Sequence, residues 1–182
     1  MTLYPAFLKL DGLPVVIVGG GPVAASKLDG LLAAGARVTV VAPEVVPEIR
    51  ARATVLEAAF RPVHLDGARW VVAAATPDVN RAVAAAAATR GVFCNAVDDP
   101  ASASAYLGGV VRRGDVEIAI STGGIAPALA GLLREALDAV LPHELDRWLE
   151  IAANARRDWQ RDRVPMVKRR PLLLRALDRI YA

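Results

Sequence analysis

The 182-residue chain has one cysteine, Cys94, and two histidines, His64 and His143. A single thiol excludes an intramolecular disulfide and suits a reducing cytoplasm. One cysteine and two scattered histidines form no ligand cluster, so no metal site is expected. Aromatic residues make up 5% of the chain and are not interleaved with the basic residues, as a nucleic-acid stacking platform requires. No apolar run reaches the length of a membrane span, because Gly, Pro or Arg breaks the longest ones. Met1 to Phe7 has no basic leader before an apolar run, so no export signal is expected. Together these absences predict a cytoplasmic protein with neither a membrane nor a nucleic-acid partner.

Hydrophobic residues, 54% of the chain and rich in Ala, Val and Leu, suit a well-buried α/β core. Leu13 to Val18 is apolar without alternation, as a central parallel strand covered on both faces must be. Gly19-Gly20-Gly21 follows, then a helical pattern from Pro22 to about Ala34, closed by Gly35. Arg37 to Ala42 returns as a second strand, completing a βαβ unit. Ala53–Ala59, Ala68–Ala75 and Val92–Val97 supply three more strands, the last after an alanine-rich helix over Val79–Arg90. The expected fold is a Rossmann-like, doubly wound parallel sheet of α/β class.

Past Asp98 the pattern changes. Tyr106–Arg112 and Asp115–Ser121 read as two strands of a hairpin around Arg113-Gly114. Thr122-Gly123-Gly124 breaks the chain before a helix over Pro127–Val140, and a final helical region follows Leu141-Pro142, with breaks at Pro165 and Pro171. The appended hairpin leaves an edge that needs cover, which a homodimer would supply. The expected division is a nucleotide-binding domain over 1–107, a dimerisation hairpin-helix region over 108–141 and a small helical domain over 142–182.

Gly19-x-Gly21-x-x-Ala24 is a dinucleotide fingerprint in the position the motif requires, after a strand and opening a helix. The first Gly makes the turn and the second admits pyrophosphate. Ala24 keeps helix and strand close, and the helix N-terminus faces the phosphates. Glu44 lies just past the end of the second strand, where an acid can take the ribose hydroxyls. No arginine stands there for a 2′-phosphate, so NAD is favoured over NADP. Thr76, after the fourth strand, either donates to the cofactor or caps the next helix. Asp98 ends the fifth strand, and Pro100 turns the chain away just beyond it. Ligands of such sheets bind outside the carboxyl ends of the strands, so a carboxylate there is placed for chemistry.

Val18-Gly19-Gly20-Gly21-Pro22-Val23-Ala24 with Lys27, Ala74-Ala75-Thr76, Phe93-Cys94-Asn95-Ala96-Val97-Asp98 and Ile120-Ser121-Thr122-Gly123-Gly124 with Pro127 occur in this order. From Tyr4 to about Pro142 the chain resembles the precorrin-2 dehydrogenase and sirohydrochlorin ferrochelatase family, the dehydrogenase–chelatase module of siroheme synthase. The resemblance implies a homodimer that oxidises precorrin-2, an acidic tetrapyrrole, to sirohydrochlorin with NAD; some members also insert ferrous iron. It matches the essential aspartate to Asp98, and the cofactor contacts to Pro22 and Val23 and to Pro43 and Glu44. Gly19, Gly21 and Thr76 complete the expected cofactor site. Thr122 matches a serine of the active-site cleft, and Asn95, Ser121 and Gly123 are expected beside it on the substrate.

Gly108 replaces a proline common in the family and Ala105 a bulky apolar residue, changes expected to widen the cleft. Oxidation removes a hydride and a proton, and Asp98 is the best-placed base; His64 and His143 fall on a loop and a helix start. Arg112, Arg113 and Arg134 are either holders of substrate carboxylates or solvated surface groups. The arginines that concentrate in the last third, among them Arg156, Arg157 and Arg161, are interrupted by Asp158 and Asp162 and read as a solvated helix face as readily as a binding surface. The competing function is an NAD-binding regulatory module without catalysis, which has no need of Asp98 at the strand edge.

Overall fold

The computed structural model describes residues 3–181, so Met1 and Thr2 of the opening segment lie outside the described residues. Five parallel strands form one sheet: β1 (Pro14–Val18), β2 (Arg37–Ala42), β3 (Thr54–Glu57), β4 (Trp70–Ala73) and β5 (Phe93–Ala96), in the order β3-β2-β1-β4-β5. The chain winds outward from β1 to β3 and then restarts on the other side of β1 with β4. That reversal puts a topological switch point between β1 and β4, where such sheets bind ligands.

The apolar runs divide between the two faces with period two, as a pleated strand demands. Val16, Val18, Val71, Ala73 and Cys94 pack with Val83 and Ala87 of α3 (Pro77–Arg90). On the other face, Val15, Ile17, Val40 and Val72 pack with Ala24, Leu28 and Leu31 of α1 (Pro22–Ala33) and with Ile49 of the one-turn helix α2 (Pro47–Arg50). Both long helices begin with proline at the first position, where no N–H is needed. Both are followed by a left-handed glycine, Gly35 at φ 74° and Gly91 at φ 65°.

The sheet departs from the sequence reading in its outer crossovers. Only α1 and α3 are full helices; β2 reaches β3 through α2, and β3 reaches β4 through a 3-10 turn over Pro62–Leu65. His64 belongs to that turn, and its Nδ1 accepts the Arg61 N–H at 3.1 Å. β3 is shorter than its apolar run because only Thr54 to Glu57 finds partners on β2.

The chain divides into two compact units, the first ending at Leu107 and the second beginning at Gly108. In the second, β6 (Gly109–Arg113) and β7 (Val116–Ile120) pair antiparallel around Gly114-Asp115. Three helices follow: α4 (Pro127–Val140), α5 (Leu145–Arg161) and α6 (Met166–Asp178). Arg113 locks β6 to α4, with its guanidinium 2.8 Å from the Asp138 carboxylate and 3.0 Å from the Asp138 carbonyl oxygen. The Trp148 indole donates to the Tyr181 hydroxyl at 2.9 Å, joining α5 to the end of the chain. Pro165 caps α6, but Pro171 lies inside that helix and does not break it. Pro171 and Val167, whose carbonyl its missing N–H would have met, are both exposed, so water can serve that oxygen.

Candidate active site

Three loops leave the carboxyl ends of β1, β4 and β5, and each is held by backbone contacts the sequence did not announce. The Gly19 N–H donates to Val41 O at 3.0 Å, and Gly20 O accepts the Val46 N–H at 2.8 Å. A methyl group on Gly19 would collide with the Ala74 carbonyl, and one on Gly20 with the Glu44 carbonyl. These two glycines therefore let the loops after β4 and β2 close on the glycine turn. Gly21 is different: a Cβ there meets nothing within 4 Å. Its lack of a side chain serves no protein neighbour, and it stands at the N-cap of α1, where no side chain caps the helix. Free N–H groups and open space above a glycine are what a pyrophosphate requires. Pro22 and Val23 are exposed beside it, as are Pro43 and Glu44 after β2.

Thr76 is the N-cap of α3 but makes no side-chain capping bond, which leaves its hydroxyl free at the sheet edge. Asn80, one turn into α3, is buried; its Oδ1 accepts the Ala75 N–H at 2.9 Å and its Nδ2 faces Val97 O at 3.5 Å. The sequence reading passed over it, although a lone asparagine inside an alanine-rich helix was a signal.

The two acids after β5 have separate roles. Asp99 Oδ1 accepts the Ser102 N–H at 3.2 Å. The Ser102 hydroxyl first, then the N–H groups of Ser102 and Ala101 and the nearby Arg81, hold the Asp99 carboxyl below the usual carboxylate range. Asp98 is exposed, has φ 57°, and among the described residues makes no side-chain hydrogen bond or ion pair. Left-handed backbone is uncommon outside glycine, with Asp and Asn among the side chains that adopt it most readily, and here it sets the direction in which the carboxylate leaves the chain past β5.

Behind Asp98 the chain doubles back along β5. Ser104 N and Ala105 N donate to Cys94 O at 2.9 and 3.0 Å, and the Cys94 N–H donates to Ser104 Oγ at 2.8 Å. The buried Asn95 amide donates to Ala105 O at 3.1 Å, so its side chain is committed to this loop. Ala105 is half-buried against the core, a structural position rather than a widened cleft. Burial pushes the Cys94 thiol up to about 11. At pH 8 about one such thiol in a thousand is ionised. The folded protein is expected to resist iodoacetamide and to react only on unfolding; rapid labelling of the native state would show this edge to be open.

In the second unit, Ser121 Oγ accepts the Gly123 N–H at 3.1 Å and Thr122 Oγ1 accepts the Ala126 N–H at 3.3 Å. Both hydroxyls keep their hydrogens to donate elsewhere. Gly123 and Gly124 are left-handed, at φ 65° and 77°, and turn the chain into α4. Gly108 opens no space, because Ile120 O occupies the place a side chain would take. Arg112 pairs with Glu117 at 2.7 Å, Arg134 with Glu135 at 3.2 Å and Arg113 with Asp138, so none of the three is unengaged.

Two concavities, of about 760 and 440 Å³, border the opposite edge of the sheet, near Arg37, Thr39 and Thr54 and near Leu65, Arg69 and Val92. Of the arginines that line them, Arg52 pairs with Asp29, Arg50 with Glu57 and Arg90 with Asp66. The chemistry-bearing side chains of the first unit lie at the carboxyl edge instead. No group of three His, Cys, Asp or Glu side chains among the described residues is placed to hold a metal.

Residues 6–109 match a family described as "Putative NAD(P)-binding", and residues 113–139 one described as "Sirohaem biosynthesis protein central". The chain is 47% identical over 152 residues to siroheme synthase 1 of Aeromonas salmonicida, a match covering 80% of this chain and 32% of that one. It is 39% identical over 177 residues to the siroheme synthase of Citrobacter koseri, covering 93% and 38% respectively. The chain thus spans about a third of the length of these relatives. The solved precorrin-2 dehydrogenase SirC shares the fold, with a TM-score of 0.71 at 24% identity over 95% of this chain and 88% of that one. The first of the two family matches takes in more than half of the residues, and the chain belongs to that NAD(P)-binding family, with the sirohaem central match following close behind it in the sequence.

Proposed function

We propose that this chain oxidises precorrin-2 to sirohydrochlorin with NAD, and that Asp98 is the base. One observation carries the reading: an exposed, unpaired aspartate in left-handed backbone stands at the same sheet edge as a glycine turn whose third glycine faces open space. An NAD-binding module without catalysis has no use for an unengaged carboxylate at that edge. The resemblance to siroheme synthases supplies the substrate class.

Gly19 and Gly21 would shape the cradle for the pyrophosphate, with the N–H groups at the start of α1 as its donors; Pro22 and Val23 would border it. Pro43 and Glu44 hold the adenine-side ribose, and the Thr76 hydroxyl donates from the β4 loop. When bound, NAD supplies the two-electron acceptor. Asp98 is placed to take the proton released from the macrocycle as its hydride is removed, and to pass that proton to water. The Ser121 and Thr122 hydroxyls offer donors to the substrate's carboxylates, on the turn that Gly123 shapes. Asn95 acts from behind, holding the loop that follows Asp98. The test is anaerobic incubation of the chain with precorrin-2 and NAD, with sirohydrochlorin absorbance as the readout. NAD binding without any turnover would reduce the protein to a binding module.

The working unit is a cytoplasmic homodimer. From Gly108 onward, Val111 and Ala130 are the only fully buried apolar side chains among the described residues, too small a core for a unit of this size. α4 presents Ala130 and Asp138 to its own hairpin, while Leu129, Leu132, Leu133 and Val140 stay exposed. A second copy laying the same stripe against this one would cover both. Light scattering at micromolar concentration should give a dimer, and Leu132→Glu combined with Val140→Glu a monomer. A wild-type monomer at that concentration would refute the assembly.

A further inference from the structure

We propose that Asn80 is a positioning residue for this oxidation, coupling the cofactor loop after β4 to Asp98; the proposal rests on the functional reading above. Val97 N–H donates to Ala73 O at 2.9 Å. In a regular parallel pair the next rung would be Ala75 N–H to Val97 O. That rung is not made. The Asn80 amide stands between the two groups, its Oδ1 taking the Ala75 N–H at 2.9 Å and its Nδ2 facing Val97 O at 3.5 Å. The Ala75 N–H fixes which way the amide points, because only oxygen can accept it.

The insertion has two consequences. It splits β4 from β5 by the width of an amide where the sheet must open, so that Ala75 and Thr76 turn towards the cofactor while Val97 leads into Asp98. It also keeps the parted strands in register, because one rigid planar group holds both. Asn80 is itself fixed: it is 4% exposed, and its own N–H donates to Thr76 O at 2.8 Å. Val97 directly precedes the left-handed Asp98, so a shift of its carbonyl rotates the Asp98 backbone and moves its carboxylate.

The two anchors can be cut separately. Asn80→Asp keeps the acceptor for Ala75 N–H and loses the donor to Val97 O. Asn80→Ala loses both. The Asp variant is expected to bind NAD within about twofold of wild type, with kcat for precorrin-2 oxidation reduced at least about tenfold, since small misplacements of a reacting group carry costs of that order. The Ala variant is expected to lose both kcat and NAD affinity, each by about tenfold or more, with faster hydrogen exchange at the Ala75 amide. A merely structural asparagine would lower the melting temperature of both variants and leave kcat and NAD affinity unchanged below it, which would overturn the proposal. If Asn80→Asp does not fold, the Ala variant decides, since unchanged NAD affinity and Ala75 exchange there also overturn it. A wild type that fails to oxidise precorrin-2 would defeat the functional reading and with it the catalytic half of this one. Whether Asn80 anchors the cofactor loop would still be decided by the Ala variant's NAD titration.

Discussion

Gly21→Val is expected to remove NAD binding, with affinity at least about a hundredfold weaker, in a protein that melts close to wild type. Gly20→Ala, one residue away and a smaller change, is expected to damage the fold. The contrast follows from what surrounds each position. A side chain at Gly21 enters space that no protein atom fills, so the native packing is untouched, but the branched group stands where pyrophosphate must approach the N-terminus of α1. A methyl at Gly20 instead falls on the Glu44 carbonyl, and the loop after β2 cannot yield without breaking the 2.8 Å bond from Val46 N–H to Gly20 O. Overpacking against backbone of this kind costs about 3 kcal/mol. Calorimetric titration with NAD and a thermal melt on both variants check the pair of outcomes. Undiminished affinity in folded Gly21→Val would remove the glycine turn as the cofactor site.

The same comparison separates what a sequence can disclose from what it cannot. β1, α1, β2 and the αL glycines after each long helix were legible, since continuous apolar runs, a first-turn proline and a closing glycine act locally. The helix over Pro127–Val140 was legible for the same reason. Gly20 looked like a spacer in the fingerprint, because its requirement comes from Glu44 on another loop. Asn80 stands out in its alanine-rich helix, but its role is not legible there because its two partners, Ala75 and Val97, lie in the separate loops after β4 and β5. Asp98 stood out by its place at the strand end, but what occupies Asp99 did not: Ser102 takes up that carboxylate and leaves the other. The sequence expects Gly108 to widen a cleft and leaves Arg113 between substrate holder and solvated surface group, whereas Ile120 and Asp138 give them structural work. Local chemistry built the scaffold, and contacts between distant segments chose among the candidates it displayed.

Asp98→Asn is expected to lower precorrin-2 oxidation by about a hundredfold to ten-thousandfold, the range for removing a general base, while NAD binds as before. The asparagine variant is the cleaner one for a conformational reason. Asp98 sits at φ 57°, a region that Asp and Asn tolerate and other non-glycine residues resist. Asp98→Ala therefore loses the carboxylate and also strains the loop, by about 1–2 kcal/mol. Asp98→Asn keeps the shape and the backbone and removes only the basicity. Asp99→Asn provides the matching control: its carboxylate holds Ser102 rather than substrate, so that change should loosen the loop and affect activity far less. With ferrous ion added to the product, the same variants report on metal insertion. The macrocycle's nitrogens would be the ligands, and the protein's part would be to take up the pyrrole protons. If one carboxylate serves both steps, Asp98→Asn should lose oxidation and insertion together. A wild type that oxidises fully without inserting iron is a dehydrogenase alone, and near-normal sirohydrochlorin formation by Asp98→Asn would take Asp98 out of the mechanism.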